Sequence, residues 1–574
     1  MKTKQEIVKQ YVASLKEDRE LDYIFPLLLE RMGFRVLSTP KQSKGQSQYG
    51  RDVIAVKREK GVNTLFLFEL KGFRAKDIND KSLNETDGLI ESMRASKNTL
   101  YRDASIPDLD TYARKYVFVH NGYVEANSVA TLDGFVSKEF PEKNFERWGL
   151  DKLTELFSKY LFEETILTDS ESYRLFKKVL VLLDSEGNDY SDIVSLVERQ
   201  IKLVDSHKTL SKRTELNFFA TLRLIGGMVY YYAEDADNLY PAKFCMDTIV
   251  LKTWGWILRR RLDDNSAIKT LFFPIVVQQL SVYEAYLNKI LESTNFKNGF
   301  YGFVPHGTEK IFYPLRCYDF LNDLLYYYHA MLPLGTTEQD LKSRKLLVKA
   351  IIDNNDGFKM PLLDTHSIPI LLLFRFFMIK PEERDYEFVA EFLVDSVLNV
   401  VVRYKDVGMW PEMTGNRKSL AKSLYSKSDD YHCESSLLLT TLVELLAYIG
   451  AADYYKVLRQ CIIDSGVNLQ VAYPIRDEYD IESELFRKRL YDELAVETGI
   501  QLPETLEEFQ ETFSKAYDPI EYRTDKAGFF YLRILAHIYY QTDFFPDFLG
   551  KKVLSGYTFI VRCEKITIFA QNNI

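Results

Sequence analysis

Cysteine is scarce in this chain of 574 residues: Cys245, Cys317, Cys433, Cys461 and Cys563 are scattered, with no Cys-x-x-Cys pair. That speaks against a disulfide framework and a thiolate zinc site, and it fits a reducing cytoplasm. Long apolar runs are missing too. The most apolar stretch, Ile368 to Ile379, is interrupted by Arg375 and is shorter than the roughly 20 residues that a spanning helix needs. The N-terminus is charged from its second residue and has no apolar core segment, so no signal peptide is expected, and the expected location is the cytoplasm, away from membranes. No phosphate-binding Gly-x4-Gly-Lys-Ser/Thr loop and no methyltransferase motif occurs, so a nucleotide-driven or base-modifying step would need a partner. A repeat of fixed period is also absent, which argues against a short-period solenoid.

What is present is the composition of a folded protein, with 46% hydrophobic and 27% charged residues. Its length exceeds a single core and implies two or more domains. Aromatics make up 14%, mostly Tyr and Phe, as large packed helical surfaces would require. The net charge of −9 argues at first against a nucleic-acid partner. However, residues 1 to 165 hold about 27 basic against 26 acidic residues, so the acidic excess lies almost wholly in the remainder. Within the first part Lys41, Lys44, Arg51, Lys57, Arg58 and Lys60 crowd around one motif, basic where a phosphate backbone would lie. A solvated loop is the plainer reading of that cluster.

The chemistry concentrates between Gly50 and Lys71, GRDVIAVKREKGVNTLFLFELK. Two runs have strand character, Asp52 to Lys57 and Thr64 to Lys71, the second apolar at nearly every position until Glu69. Side chains alternate faces along a strand, so Glu69 and Lys71 emerge together while Phe66, Phe68 and Leu70 point the other way. A hairpin turning at Lys60-Gly61 sets residues whose numbers sum to 121 opposite each other, which pairs Asp52 with Glu69. Carboxylates that close repel unless a proton or cation lies between them, and hard oxygen ligands suit Mg²⁺, with Mn²⁺ as a substitute. Such an ion would polarise a phosphoryl oxygen and lower the pKa of a bound water. Lys71 would hold that water or offset charge on phosphorus. The alternative is a surface salt bridge in an ordinary hairpin. Against it, a strand buried on both faces rarely ends in two charges without use or pairing.

With helix, strand, Gly-Arg-Asp and then Glu-Leu-Lys in that order, about the first 165 residues resemble the PD-(D/E)XK nucleases, and within them the Mrr-like restriction endonucleases. The resemblance implies that Asp52 and Glu69 bind Mg²⁺ and that Lys71 activates the water. The family also carries an acid on its first helix, about eleven positions before a Gly-aromatic step. Here that step is Gly33-Phe34 and the acid is Asp22, with Glu20 and Glu30 as rivals. Asp stands where Glu is common in the family, and no Pro precedes Asp52. The resemblance further implies endonucleolytic cleavage of DNA, double-stranded as a first expectation, in prokaryotic defence against foreign DNA such as phage. Lys41, Lys44 and Arg51 would contact the nucleic-acid backbone. Cutting both strands is easiest with two sites related by a two-fold axis, so a homodimer or higher even-numbered oligomer is expected.

Along the first part, helical spacing of Leu21, Ile24, Phe25, Leu28 and Leu29 predicts a helix that Gly33 ends, with a strand over Phe34 to Leu37. A crossover helix is expected over Ile78 to Lys97, strands at Tyr116 to Val119 and Phe145 to Trp148, and a helix from Asp151, its cap, to Tyr160. His120 is either a catalytic base or a structural histidine at a strand end.

From about Ser170 helical periodicity dominates, and DSEGND (Asp184 to Asp189) is the most loop-like part of the boundary. Irregular loops then recur before apolar helices, as in FKMPLLDTHS before Ile368 to Ile379 and KSDDYHCE before Ser435 to Ile449. Gly556 to Thr567 has the pattern of a strand or two. His432, Cys433, Asp429 and Asp430 suggest either a metal or thiol site or a plain helix start. Arg259 to Arg261 after Trp254 and Trp256 suggest either base stacking or the flank of a core face.

The expected architecture is an α/β restriction-endonuclease-like domain at residues 1–165, a mixed sheet flanked by helices. A linker at 166–190 and a large, mainly α-helical region at 191–574 follow, the latter serving as sensor, recognition or oligomerisation region, with a trigger or partner protein. The alternative is a catalytically silent nuclease-like module that binds nucleic acid, attached to a helical interaction scaffold.

Overall fold

The computed structural model describes residues 4–15, 17, 21–39, 50–59, 61–72, 77–85, 88–103, 106, 108–160, 170–185, 189–206, 210–426, 433–472, 481–487, 495–498, 502–513 and 522–541. The chain divides into two compact units, Met1–Val250 with Ser266–Val282, and Leu251–Asn265 with Tyr283–Ile574. The first unit continues past residues 166–190, where helix Ser170–Leu182 fills much of the stretch that the sequence marks as a linker.

The first unit opens with α1 (Lys4–Ser14) and α2 (Asp22–Arg31). Gly33, at φ +83°, closes α2: its N–H reaches the Glu30 carbonyl and the Phe34 N–H reaches that of Leu29, both at 2.9 Å. This left-handed cap satisfies the last carbonyls and turns the chain into β1 (Arg35–Ser38). β2 (Val53–Glu59) and β3 (Val62–Lys71) follow, joined at Gly61, φ +87°. Then come β4 (Asp77–Ile78), α3 (Asp80–Asn84), α4 (Leu89–Asn98), β5 (Ala113–His120), β6 (Tyr123–Val124), α5 (Ala126–Glu139), β7 (Phe145–Trp148) and α6 (Leu150–Tyr160). The main sheet has the order β1-β2-β3-β5-β7. The first two pairings are antiparallel, the second closed by the short turn at residues 60–61; crossovers carrying helices make the last two parallel. β4 and β6 form a separate parallel pair.

β3 is central, with Leu65 to Leu70 buried without interruption. On one face Leu65, Leu67, Ile54, Tyr116 and Phe118 pack against Leu83 of α3, Ile90 and Met93 of α4 and Leu132 and Phe135 of α5. On the other, Phe68 meets Phe25 of α2 at 5.2 Å and Trp148 at 5.4 Å, and Phe66 meets Phe34 at 4.9 Å.

The single helix expected over Ile78 to Lys97 is instead β4, α3 and α4. Gly88 explains the interruption, since a Cβ there would stand 2.8 Å from the carbonyl oxygens of both Glu85 and Leu83. Asp151 lies inside the first turn of α6 rather than at its cap, and pairs with Lys9 at 2.6 Å.

The second unit is largely helical. Helices Ser367–Phe377 and Leu437–Ile449 are apolar and buried over most of their length, and helices Glu383–Val407 and Ala452–Ser465 pack against the second of them. The loops ahead of the two apolar helices meet: Asp364 accepts from Ser436 Oγ at 2.6 Å and from the Leu437 N–H at 2.8 Å, capping the helix Leu437–Ile449. A small sheet, order β10-β9-β8, joins Ser435–Ser436, Asn468–Ala472 and Ala495–Thr498. Periodicity did not announce it, because strands of two to five residues are too short to show alternation. Gly556 to Thr567, Asp429, Asp430 and His432 lie outside the described residues. Burial, then the carboxylates of Asp364 and Glu412, push the Cys433 thiol up, which disfavours a nucleophilic role. Trp254 and Trp256 are core residues, and Trp254 Nε1 donates to Thr524 Oγ1 at 2.9 Å. Among the described residues no helix is long and apolar enough to cross a membrane.

Candidate active site

The site rests on the β2–β3 pair. Val53 stands opposite Phe68 and Glu59 opposite Val62, the register that a turn at residues 60–61 requires. Hydrogen bonds carry the pairing one step further: the Asp52 N–H donates to the Phe68 carbonyl at 2.8 Å, and the Leu70 N–H donates to Asp52 Oδ2 at 2.7 Å. Asp52 therefore sits beside Glu69, and Lys71 Nζ reaches Glu69 Oε1 at 3.1 Å. The structure brings these three predicted residues together on one face of the sheet.

A third carboxylate joins them. Glu17 Oε1 lies 3.4 Å from Lys71 Nζ, and Glu17 Oε2 accepts from the Gly72 N–H at 3.0 Å. Gly72 permits this approach, since a Cβ there would fall 2.5 Å from the Glu17 nitrogen. Asn121, just after β5, anchors the end of α1 by donating from Nδ2 to the Val12 and Leu15 carbonyls, each at 2.8 Å. Asp22 occupies the first turn of α2, and the charges that act most strongly on Asp52 and Lys71 include Glu17 but not Asp22. Glu30 is exposed, and Glu20 lies outside the described residues. The acid that the N-terminal segment brings to Lys71 is thus Glu17. Gly72, directly after the motif, was the one sequence signal of so close an approach.

Burial, and then the charge of Glu69, push the Asp52 carboxyl up to about 7, against the opposing Leu70 N–H and Lys71. Burial works against the Lys71 ammonium, yet Glu69, Glu17 and Asp52 outweigh it and hold its pKa above the ordinary value. The three carboxylates thus favour the ammonium form of Lys71, a cation and hydrogen-bond donor. Glu69 is only 2% exposed. Its Oε1 accepts from Lys71 and, at 2.8 Å, from Ser92 Oγ of α4; its Oε2 is buried without a hydrogen-bond partner among the described residues.

The residues before Asp52 lock it to α4. Gly50 has φ +71°, and a Cβ on it would come within 2.0 Å of the Ser92 carbonyl oxygen. Arg51, expected to contact a nucleic-acid backbone, is instead buried and donates to the Ser96 carbonyl at 2.9 Å and to that of Thr99. Its guanidinium satisfies the C-terminal carbonyls of α4, a structural use. Lys41 and Lys44 lie outside the described residues. His120 pairs with Lys71 in the β3–β5 register, but it is buried, stacked on Phe118 at 4.8 Å, and held at about 4 by burial and then Arg147. It is a neutral core histidine.

Among the described residues no group of three or more His, Cys, Asp or Glu side chains is gathered closely enough to hold a metal by itself. Mg²⁺ asks for less, because it commonly keeps several waters and takes one or two carboxylates. Asp52 and Glu69 fit that requirement, and the bare Glu69 Oε2 is an anionic oxygen in want of a cation. No protein-family model, no curated protein and no solved structure matches this chain.

Proposed function

We propose that the first unit carries a restriction-endonuclease-like, Mg²⁺-dependent endonuclease that hydrolyses DNA phosphodiester bonds in defence against foreign DNA. The helical remainder would control or target it. One observation carries the reading: with Asp52 ionised, three carboxylates act on a single ammonium, two negative charges in excess, and Glu69 Oε2 is buried with no hydrogen-bond partner among the described residues. A divalent cation balances that charge, whereas a merely structural cluster has no need of the third carboxylate.

Asp52 and Glu69 would hold the ion, which when bound supplies Lewis acidity toward a phosphoryl oxygen and toward water. The Lys71 ammonium donates to the attacking water or to the phosphate and offsets charge that develops there. Glu17 keeps that ammonium charged and aimed. Two strands of a duplex call for two such sites, hence a homodimer or larger even-numbered assembly.

The test is cleavage of supercoiled plasmid, linear duplex, single-stranded DNA and RNA by the full chain, with Mg²⁺ or EDTA. Cleavage of DNA that requires Mg²⁺ and falls on the order of 10²–10³-fold in both Glu69→Ala and Lys71→Ala is expected. Metal-dependent cleavage that is unchanged in both variants would remove the site from the mechanism. DNA binding that survives EDTA, with no cleavage at any metal concentration, would favour the silent binding module.

A further inference from the structure

We propose that Ser92 is a positioning residue for metal binding: its hydroxyl, together with Lys71, occupies Oε1 of Glu69 and so commits Oε2 to the divalent cation. The proposal rests on the reading of Asp52 and Glu69 as metal ligands.

The last torsion of a glutamate is broad and nearly two-fold, so nothing within Glu69 itself decides which oxygen faces where. The surroundings decide. Ser92 Oγ at 2.8 Å and Lys71 Nζ at 3.1 Å both converge on Oε1, while Oε2, equally buried, has no hydrogen-bond partner among the described residues. Leaving a buried carboxylate oxygen bare is costly unless something positive belongs there. The asymmetry is therefore the signature of a carboxylate prepared to ligate through one oxygen.

Ser92 is itself held in place. α4 buries Leu89, Ile90, Met93 and Ser96, and Gly50 lies so close beneath the Ser92 carbonyl that no side chain fits between them. Arg51 grips the same helix at Ser96 and Thr99. Asp52, the next residue, is pinned by the Leu70 N–H. Three consecutive residues thus fix the distance between α4, which carries the hydroxyl, and the strand pair, which carries the carboxylates. A hydroxyl that orients a ligating carboxylate contributes to metal affinity without touching the metal.

The experiment is titration of Mn²⁺, and separately Mg²⁺, into the full chain by calorimetry, comparing wild type with Ser92→Ala and Glu69→Ala. Melting temperatures without metal are measured alongside. Ser92→Ala is expected to keep a cooperative metal-free melting transition and to bind Mn²⁺ roughly 10- to 100-fold more weakly. Cleavage by Ser92→Ala should recover at high Mn²⁺, which a general loss of structure would not allow, while Glu69→Ala should not recover. Wild-type affinity in Ser92→Ala, with binding lost in Glu69→Ala, overturns the role of Ser92 and leaves the metal site standing. Absence of binding by the wild type overturns the metal site itself, and this proposal with it.

Discussion

A half-buried aspartate in the first unit and a buried one in the second show how differently the same side chain can be treated. In the second unit Asp385 accepts from Lys345 Nζ at 2.8 Å and from the Glu382 N–H at 3.1 Å, and pairs with Lys349 at 3.0 Å. Burial alone would raise its pKa, but Lys345, the backbone and Lys349 together hold it below the ordinary value. Lys345 is equally well used, since it also donates to the Phe377 and Ile379 carbonyls at the end of the helix Ser367–Phe377. In the first unit Asp52 has one backbone donor and a like charge beside it, and is pushed up to about 7. The first arrangement is complete in itself and serves the fold. The second is deficient in positive charge, and such a deficiency persists where a ligand removes it.

The largest expected stability effect lies on the complete side. Lys345→Met leaves two helix-ending carbonyls without a donor and Asp385 with a single lysine, and should cost about 3–5 kcal/mol in urea denaturation. A neutral result would mean that this ion pair does not support the second unit.

On the deficient side, Mg²⁺ at a hundredfold excess over its Kd should stabilise the wild type by about 2.7 kcal/mol. Glu69→Gln should show no such gain in thermal melts. Equal stabilisation of both proteins would place the ion elsewhere.

The most direct effect on the contrast concerns Asp52→Asn without metal. The folded carboxyl titrates at about 7, and the unfolded one near the ordinary ~3.9. Between these values the folded wild type holds a proton that the unfolded chain has lost, so wild-type stability falls as pH rises from about 4 to about 7 and then levels off. Asparagine does not titrate. Asp52→Asn should therefore match the wild type near pH 4 and exceed it at pH 8 in EDTA by at most about 4 kcal/mol, the full worth of a shift from ~3.9 to about 7, measured by urea denaturation. A wild type as stable as the variant at pH 8 would show that Asp52 is not strained.

The features that sequence reasoning reached are local ones. Gly33 as the end of α2 follows from a few neighbouring residues. The β2–β3 register follows from a short turn, and the shared face of Glu69 and Lys71 from strand alternation. What it missed depends on residues far apart in the chain: Glu17 meets Lys71 across 54 positions, Ser92 meets Glu69 across 23, and Arg51 turns inward to carbonyls 45 and 48 positions away. A charge count cannot tell an arginine that faces a phosphate from one that ends a helix; only the position of α4 does that.

The sequence by itself determined the acid and ammonium that share one face of the hairpin, through side-chain alternation, and, given a turn at Lys60-Gly61, its register; a longer loop would have slipped that register by a residue or two. The tertiary structure alone decided which acid from the N-terminal segment joins them, which oxygen of Glu69 stays bare, and that Asp52 is held near neutrality. Those outcomes depend on burial and on charges brought together from distant parts of the chain, and neither exists until the helices close over the sheet.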